Sequence, residues 1–331
     1  MSETIRWGII GTGSIAHNFA KGLSALHDAR VVAVASRSRE AADKFGEEFS
    51  VTHRHIGAAE LAANGDVDAV YVATPHPMHK NATLQCLEGG KAVLCEKPFA
   101  MNVSEATEMI GTARAKGVFL MEAMWTHFFP AMAETRKIIA SGAIGEVRLV
   151  QSSFCFRAGW DPKNRLLSPE LGGGALLDVG IYNVSLARMV FQRDPSRISS
   201  MVHLGETGVD EQCSVLLGYD DGAIATSTSA IRTNTSHDAA IYGADGHIKI
   251  PHMFWQPDRI IVKAGQADEE EISFERVGNG YNYEAEEVAN CLRNGYLESS
   301  VVSLDTTLAN MKTMDSIRAQ WGLVYPMERK Q

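Results

Sequence analysis

The first 123 residues alternate between short apolar runs and longer segments with helical spacing. Nearly continuous apolar runs are typical of strands that are covered on both faces of a sheet. The runs predicted as strands are Ile5–Ile10, Val31–Ala35, Ala69–Ala73, Ala92–Cys95 and Phe119–Met121. The segments predicted as helices are Ser14–Leu26, Arg39–Phe49, His79–Leu87 and Ser104–Ala115. This alternation predicts an α/β domain, a doubly wound parallel sheet, over residues 1–123.

After residue 123 the pattern changes, and residues 124–331 are predicted as a second, α+β domain. Between Ile198 and Phe274 polar and apolar positions alternate, with Asp-Gly pairs as breaks, which predicts an antiparallel meander. The remaining elements predicted in this half are a strand at Val147–Phe156 and helices at Pro130–Ala140, about Leu177 to Phe191, Tyr283–Arg293 and Asp305–Trp321.

A glycine-rich motif directly follows the first predicted strand and opens the first helix. Gly11 permits a tight turn, Gly13 lets the backbone approach a pyrophosphate, and the small Ala16 allows close packing of helix and strand. The N-terminus of the helix offers backbone N–H groups to the anion. We therefore predict a Rossmann dinucleotide site whose contact residues here are Gly11, Thr12, Gly13, Ser14, Ile15 and Ala16.

The end of the second predicted strand indicates which dinucleotide binds. An NAD site carries Asp or Glu about 20 residues after the glycines, where it holds the ribose 2′-hydroxyl. This chain has Ser36, Arg37 and Ser38 there. A guanidinium and two hydroxyls suit a 2′-phosphate, which a carboxylate would repel. We therefore predict NADP as the cofactor.

Three further residues could carry chemistry. Lys97, in the run Glu96-Lys97-Pro98, follows a predicted strand at the carboxyl end of the sheet, where ligands of such folds bind. Asp178 and Tyr182 are four residues apart in a predicted helix and therefore share a face. Oxidation of an alcohol needs a base for the hydroxyl proton, and a nearby ammonium favours the ionised form of a phenol. We hypothesise that Tyr182 is the general acid/base, assisted by Lys97, and that Asp178 orients substrate hydroxyls.

Four motifs together resemble the Gfo/Idh/MocA oxidoreductase family over essentially the whole chain. They are GTGSIA at 11–16, ATP at 73–75, EKP at 96–98 and DVGIY at 178–182. Within the family, the stretches 121–130 and 173–182 are most similar to the dihydrodiol dehydrogenases and NADP-dependent D-xylose dehydrogenases. The resemblance implies transfer of a hydride between a nicotinamide and a sugar or trans-diol.

The resemblance also implies roles for particular residues. Lys97 matches the lysine of the family near substrate and nicotinamide, and Tyr182 stands where many members have His. Thr74, Pro75, His79 and Glu96 are expected beside the cofactor. Three aromatic residues are candidates for an apolar substrate wall: Trp125, Phe154 and Trp255. The second domain is expected to have a large open sheet through which the chain forms a homodimer.

Composition narrows the partners and the compartment. The formal net charge of −9 argues against binding to nucleic acid, which requires a basic face. No targeting segment or membrane-spanning run is expected at the start or along the chain. The five cysteines are scattered and never in CxxC spacing, so we expect no metal site and a cytoplasmic protein.

Two other functions remain open at this point. Some members of the family use bound NAD to hydrolyse glycosides through transient oxidation. Others of the same fold would serve as non-catalytic cofactor sensors. The Ser-Arg-Ser run and Tyr182 disfavour the hydrolase, and the presence of both Lys97 and Tyr182 disfavours the sensor.

Overall fold

The computed structural model of the protein describes residues 4–329. The chain forms two compact units, Met1–Trp125 with Arg276–Leu308 and Thr126–Glu275 with Ala309–Gln331. The predicted boundary after residue 123 lies two residues from the first change of unit. Arg276–Leu308, expected in the second domain, instead groups with the first unit. The assignment of residues 1–123 and 124–331 to two domains stays a prediction.

The first unit is built on a six-stranded sheet in which all neighbouring strands are parallel. Its strands are β1 (Ile5–Ile10), β2 (Ala29–Ser36), β3 (His53–Ile56), β4 (Ala69–Val72), β5 (Ala92–Glu96) and β6 (Leu120–Ala123). They lie in the order β3-β2-β1-β4-β5-β6. The helices that follow the strands are α1 (Ser14–Leu23), α2 (Arg39–Glu48), α3 (Ala58–Ala62), α4 (His79–Glu88) and α5 (Val103–Lys116). Every residue of β4 and β5 is buried, as their apolar runs predict.

The second unit contains an eight-stranded sheet. Its strands are β7 (Val147–Cys155), β8 (Arg197–Leu204), β9 (Asp210–Gly218), β10 (Ile224–Ala230), β11 (Ala239–Gly243), β12 (Gly246–Ile250), β13 (Arg259–Ala264) and β14 (Glu270–Ser273). They lie in the order β14-β13-β12-β11-β7-β10-β9-β8, and only the β7–β10 pair is parallel. The predicted fold class, a Rossmann sheet followed by a mostly antiparallel sheet, is confirmed.

Helices cover the inner face of this second sheet. They are α6 (Pro130–Ala140) and α7 (Ile181–Phe191), and a π-helical turn, Leu176–Gly180, leads into α7. On β9, Cys213, Val215 and Leu217 face inward and are buried, while the residues between them are exposed. The stretch Pro169–Phe191 is apolar and long enough to span a membrane, but 94% of that window is buried inside the structure, as in a core helix.

Two long helices complete the chain, α8 (Tyr281–Arg293) and α9 (Leu304–Trp321). Helix α8 belongs to the first unit, where it packs on α1. Gly22 of α1 makes this close approach possible, because a Cβ at that position would lie 2.9 Å from Cβ of Tyr281. This packing is the reason that a C-terminal segment joins the N-terminal unit.

Candidate active site

The glycine turn joins β1 to α1. Gly11 has a φ of +109°, and an added Cβ there would overlap the carbonyl oxygen of Ala73 at the end of the neighbouring β4. Gly13 precedes α1 with a φ of −80°, and an added Cβ there would meet nothing within 4 Å. Thr12 and Ile15 are half-buried beside them. The backbone thus requires Gly11, whereas Gly13 leaves open space at the start of the helix.

This helix start suits an anionic group. No side chain caps α1, and its first turn contains no acidic residue. Gly13 and Ser14 are exposed, while Ala16 is fully buried under the turn. At the end of β4, Thr74 Oγ1 is buried without a hydrogen-bond partner among residues 4–329. The open space and the unsatisfied hydroxyl fit a dinucleotide whose pyrophosphate lies on the N-terminus of α1.

The end of β2 carries the residues predicted to receive a 2′-phosphate. Arg37 is exposed and makes no hydrogen bond or ion pair within the described chain. Ser38 caps α2 by accepting a backbone N–H at 3.3 Å, which leaves its hydroxyl proton available for donation. Ser36 is half-buried. Arg39, by contrast, donates to the carbonyl oxygen of Arg54 at 2.6 Å.

Lys97 directly follows β5, and its peptide bond to Pro98 is cis. The preceding side chain, Glu96, is buried. Its Oε2 accepts the backbone N–H of Lys97 at 3.0 Å, and its Oε1 accepts the hydroxyl of Tyr71. Glu96 therefore fixes the backbone of Lys97. The contact of Glu96 and Lys97 with the cofactor stays a prediction.

His79 connects two loops at the same edge of the sheet. It is buried, with Nε2 2.8 Å from the Thr74 carbonyl oxygen and Nδ1 2.9 Å from that of Pro98. Burial lowers the pKa of His79, and a neutral imidazole carries only one N–H to share between the two carbonyls. Pro75 lies on the loop that His79 holds. The ring thus contacts the backbone on both sides, and its contact with the cofactor stays a prediction.

Two buried carboxyl groups that sequence reasoning missed lie close to Glu96. Glu284 of α8 is fully buried, and neither carboxyl oxygen has a hydrogen-bond partner among residues 4–329. Burial, with the charge of Glu96, raises the pKa of Glu284 well above its usual range. Glu122 of β6 accepts the Phe99 N–H at 3.2 Å and the Thr307 hydroxyl at 2.9 Å. Burial raises the pKa of Glu122 to about 7.

In the second unit, Asp178 and Tyr182 lie where the π-helical turn meets α7. The sequence predicted one continuous helix from about Leu177. The structure instead has a wider turn, in which the Ile181 N–H donates to the Leu176 carbonyl oxygen five residues back. Both Asp178 and Tyr182 are buried. Single π-helical turns within helices occur frequently at functional sites.

Arg165 forms an ion pair with Asp178 that the sequence analysis did not anticipate. Its Nη1 lies 2.7 Å from Asp178 Oδ1, and its side chain is 55% exposed whereas that of Asp178 is 6% exposed. The stretch that carries Arg165 is irregular. Two backbone hydrogen bonds tie it to the glycine run, residues 172–174: the Gly173 N–H donates to the Ser168 carbonyl oxygen and the Gly174 N–H to the Leu166 carbonyl oxygen. The one available signal was a cation just before the glycines.

Two of the predicted aromatic residues lie together with Tyr182. The rings of Phe154 and Trp255 stack, with centroids 3.6 Å apart and an interplanar angle of 8°. The Tyr182 ring lies 5.3 Å from that of Phe154. Trp125 belongs to the first unit, where it stacks on Tyr281 at 4.5 Å. The second unit therefore brings a phenol, a carboxylate and a flat aromatic wall together, and Lys97 lies in the first unit.

Comparison with known families matches both halves of the chain. Residues 5–124 match a family model described as an oxidoreductase family with an NAD-binding Rossmann fold. Residues 132–249 match the model of a GFO/IDH/MocA C-terminal domain.

Individual relatives agree with these matches. The chain is 39% identical to trans-1,2-dihydrobenzene-1,2-diol dehydrogenase of Xenopus tropicalis, covering 97% of this chain and 99% of that protein. It is 35% identical to the human protein of that name, covering 98% and 99%. The structure of aldose-aldose oxidoreductase from Caulobacter crescentus with glycerol is similar, with a TM-score of 0.88, 26% identity and coverage of 98% and 100%. A 3-ketoreductase from Actinomadura kijaniata with NADP and TDP-benzene has a TM-score of 0.84 at 25% identity, covering 96% and 98%.

Proposed function

The chain belongs to the Gfo/Idh/MocA oxidoreductase family, and from that premise we propose that it is an NADP-dependent dehydrogenase or reductase acting on a sugar or a trans-diol. The observation that carries the proposal is the grouping of Tyr182 and Asp178 beside the stacked rings of Phe154 and Trp255. A phenol can transfer a proton, a carboxylate can hold hydroxyls, and flat rings can cover the apolar face of a cyclic substrate. The names of the relatives point to the same substrate classes.

We place the cofactor at the carboxyl edge of the parallel sheet. The N–H groups at the start of α1, with the open space at Gly13, would hold the pyrophosphate, and Thr74 Oγ1 would gain a partner. The exposed Arg37 guanidinium, with Ser36 and Ser38, would hold the 2′-phosphate. The bound nicotinamide supplies the hydride chemistry.

The side chains of the protein hold and move the proton. We assign proton transfer at the substrate hydroxyl to Tyr182 Oη. Asp178 accepts hydrogen bonds from neighbouring substrate hydroxyls, and its ion pair with Arg165 orients it. Lys97, whose backbone is fixed by Glu96, is the cation expected to favour the ionised phenol.

Surface and cysteine composition bear on assembly and compartment. The outer face of the second sheet exposes apolar side chains, including Met201, Leu216 and Ile224, and we propose that it forms the interface of a homodimer. All five cysteines are free and buried, which suits the reducing cytoplasm that we propose as the location.

The first test is steady-state absorbance of the reduced nicotinamide with NADP or NAD and a panel containing a benzene trans-dihydrodiol, D-xylose and D-glucose. We expect net NADPH formation, and a higher kcat/KM with NADP than with NAD. Arg37→Ser should weaken the preference for NADP by roughly 10–100-fold, the range expected for one charge-assisted hydrogen bond. Tyr182→Phe should lower kcat by ~10²–10⁴ if the phenol transfers the proton.

Tyr242→Phe, a tyrosine on strand β11, is the matched control and should keep full turnover. Release of free sugar without net NADPH would indicate the glycosidase instead. Cofactor binding without turnover of any member of the panel would indicate a sensor. Normal turnover of Tyr182→Phe would remove the phenol from the mechanism.

A further inference from the structure

The glycine run before the π-helical turn is held by tight contacts on two sides. Gly174 has a φ of +122°, and an added Cβ there would overlap the carboxylate of Asp210. An added Cβ at Gly173 would lie 2.6 Å from the Leu166 carbonyl oxygen. Only glycine fits at positions 173 and 174. The close contacts there fix where the backbone of this segment lies.

Asp210, the first residue of β9, anchors the start of the helical segment. It is fully buried, and its Oδ2 accepts the backbone N–H of Leu176 at 2.6 Å. The first N–H groups of a helix lack partners within the helix, and a carboxylate at that end both accepts them and complements the helix dipole. Burial raises the pKa of Asp210 to about 7, while the Leu176 bond lowers it. The Asp210 carboxylate thus accepts the N–H at the start of the turn that leads to Asp178.

Tyr325, near the end of the chain, holds the other side of the same run. Its ring is buried, and its hydroxyl donates to the Gly173 carbonyl oxygen at 2.6 Å. Arg318 of α9 lies over the ring, with its guanidinium carbon 5.2 Å from the centroid. Arg318 also donates to Glu328 at 2.8 and 2.9 Å, and Glu328 accepts the Tyr325 N–H at 2.9 Å. Contacts with Arg318 and Glu328 therefore hold Tyr325 in the orientation in which its hydroxyl meets the Gly173 carbonyl oxygen.

We propose that Asp210 and Tyr325 are positioning residues, which set the place of Asp178 and Tyr182 by fixing the glycine run and the first N–H of the helical segment. Neither belongs to the proton-transferring group. The inference rests on the proposed function for its kinetic consequence. Its structural part, that these two side chains fix residues 174–182, stands independently of that function.

The experiment compares Tyr325→Phe, Asp210→Asn and Asp210→Ala in the full chain, with two matched controls. Tyr296→Phe and Asp221→Asn make the same chemical changes at an exposed residue and at a residue remote from the glycine run. The measurements are kcat, the KM values for substrate and for NADP, and hydrogen exchange of the amides at 174–182 followed by mass spectrometry.

We expect Tyr325→Phe and Asp210→Ala to lower kcat roughly tenfold, because misplacing a reacting group by about 1 Å costs up to ~10² in rate. The KM for NADP should stay unchanged, and the amides at 174–182 should exchange faster. Asp210→Asn keeps an oxygen for the Leu176 N–H and should recover most of kcat. The control variants should match the wild type in every measurement.

Unchanged exchange and unchanged kcat in Tyr325→Phe would overturn the inference, even if both Asp210 variants failed to fold. Faster exchange along the whole chain, and not at 174–182 in particular, would also overturn it, because general unfolding lowers the apparent kcat simply by removing active enzyme. If the wild type turns over no substrate but the variants lose protection at 174–182, the proposed function fails and the anchoring role stands.

Discussion

The first unit contains a cluster of buried ionisable side chains around Glu96, the residue before Lys97. The group consists of Tyr71, Glu96 and Glu284. The Tyr71 hydroxyl donates to Glu96. Glu284 lies close to the charge of Glu96 and has no hydrogen bond to any described residue. Two carboxylates this well shielded from water cannot both be ionised at low energy. We infer that Glu96 keeps its charge, because it accepts two hydrogen bonds, and that Glu284 holds a proton.

Glu284→Gln tests that protonation state through stability. The pKa of Glu284 is raised in the folded state, so its contribution to stability is present in acid and is lost as the pH rises toward that raised value. Replacement by the neutral Gln should raise the free energy of unfolding by about 1–3 kcal/mol at pH 8 and change it little near pH 4. Urea unfolding at both pH values measures this.

Glu286→Gln on the exposed face of the same helix is the matched control and should change stability little at either pH. If Glu284→Gln keeps the pH dependence of the wild type, Glu284 is not the protonated member of the group.

At the scale of elements, Gly11 and Gly13 of the first turn differ in what their positions require. Gly11 is demanded by its left-handed φ and by the neighbouring strand, whereas Gly13 has ordinary backbone angles and open space. The fingerprint pattern treats them alike. The structure thus separates a glycine that the fold requires from one where a side chain would meet nothing, and we propose that the second serves the ligand.

Paired substitutions distinguish these two needs. Gly11→Ala should lower the free energy of unfolding by about 2–4 kcal/mol, from left-handed strain and overlap with Ala73. Gly13→Ala should change it by less than about 0.5 kcal/mol, yet weaken NADP binding by about tenfold or more, because the Cβ occupies the approach of the pyrophosphate. Thermal unfolding and fluorescence titration with NADPH measure the two effects. Equal loss of stability in both variants would contradict this division.

The sequence predicts elements well where burial imposes a pattern. Fully buried β4 and β5 fall within one residue of their predicted ends, and α6 matches its prediction at both ends. Strand β3 was missed because His53, Arg54 and His55 are polar and half-buried, and the apolar Ile56 is exposed, at the edge of the sheet. The π-helical turn was missed because no local spacing marks it, and the hydrogen bond at its start, from the Leu176 N–H to a carboxylate 34 residues further along the chain, is a tertiary contact.

The candidate site shows the same division. Local motifs predicted the glycine turn and the Lys97, Asp178 and Tyr182 positions, whose roles stay predictions. Arg165 and Glu284 carry no local signal, because their importance depends on what the fold places beside them. Long-range pairing of this kind cannot be read from spacing in one sequence.

At the scale of the whole molecule, we propose that the outer face of the second sheet forms the interface of a homodimer. Its exposed and half-buried positions combine apolar side chains with Ser and Thr: Met201, Leu216 and Ile224 with Ser199, Ser214, Thr226 and Thr228. A broad sheet face with few charges suits a self-complementary, two-fold interface.

Leu216→Glu should therefore convert a dimer into a monomer, since it places like charges opposite each other across a two-fold axis. Light scattering coupled to gel filtration should give twice the mass of the chain for the wild type and the single mass for the variant. Val277→Glu replaces an equally exposed apolar residue of the first unit and should leave the dimer intact. A wild type that elutes as a monomer at micromolar concentration would refute the interface.

The return of α8 to the first unit has a consequence for how the protein is made. Chains emerge from the ribosome N-terminus first, and domains generally fold as they appear. Here the nucleotide-binding sheet is complete by residue 123, but α8, with its buried Ala285 and Val288, is translated only after the entire second sheet. The unit whose translation begins first is thus completed only near the end of the chain. Until then the nascent chain leaves the surface of α1 uncovered, so a ribosome-stalled fragment ending before residue 276 should bind chaperones there.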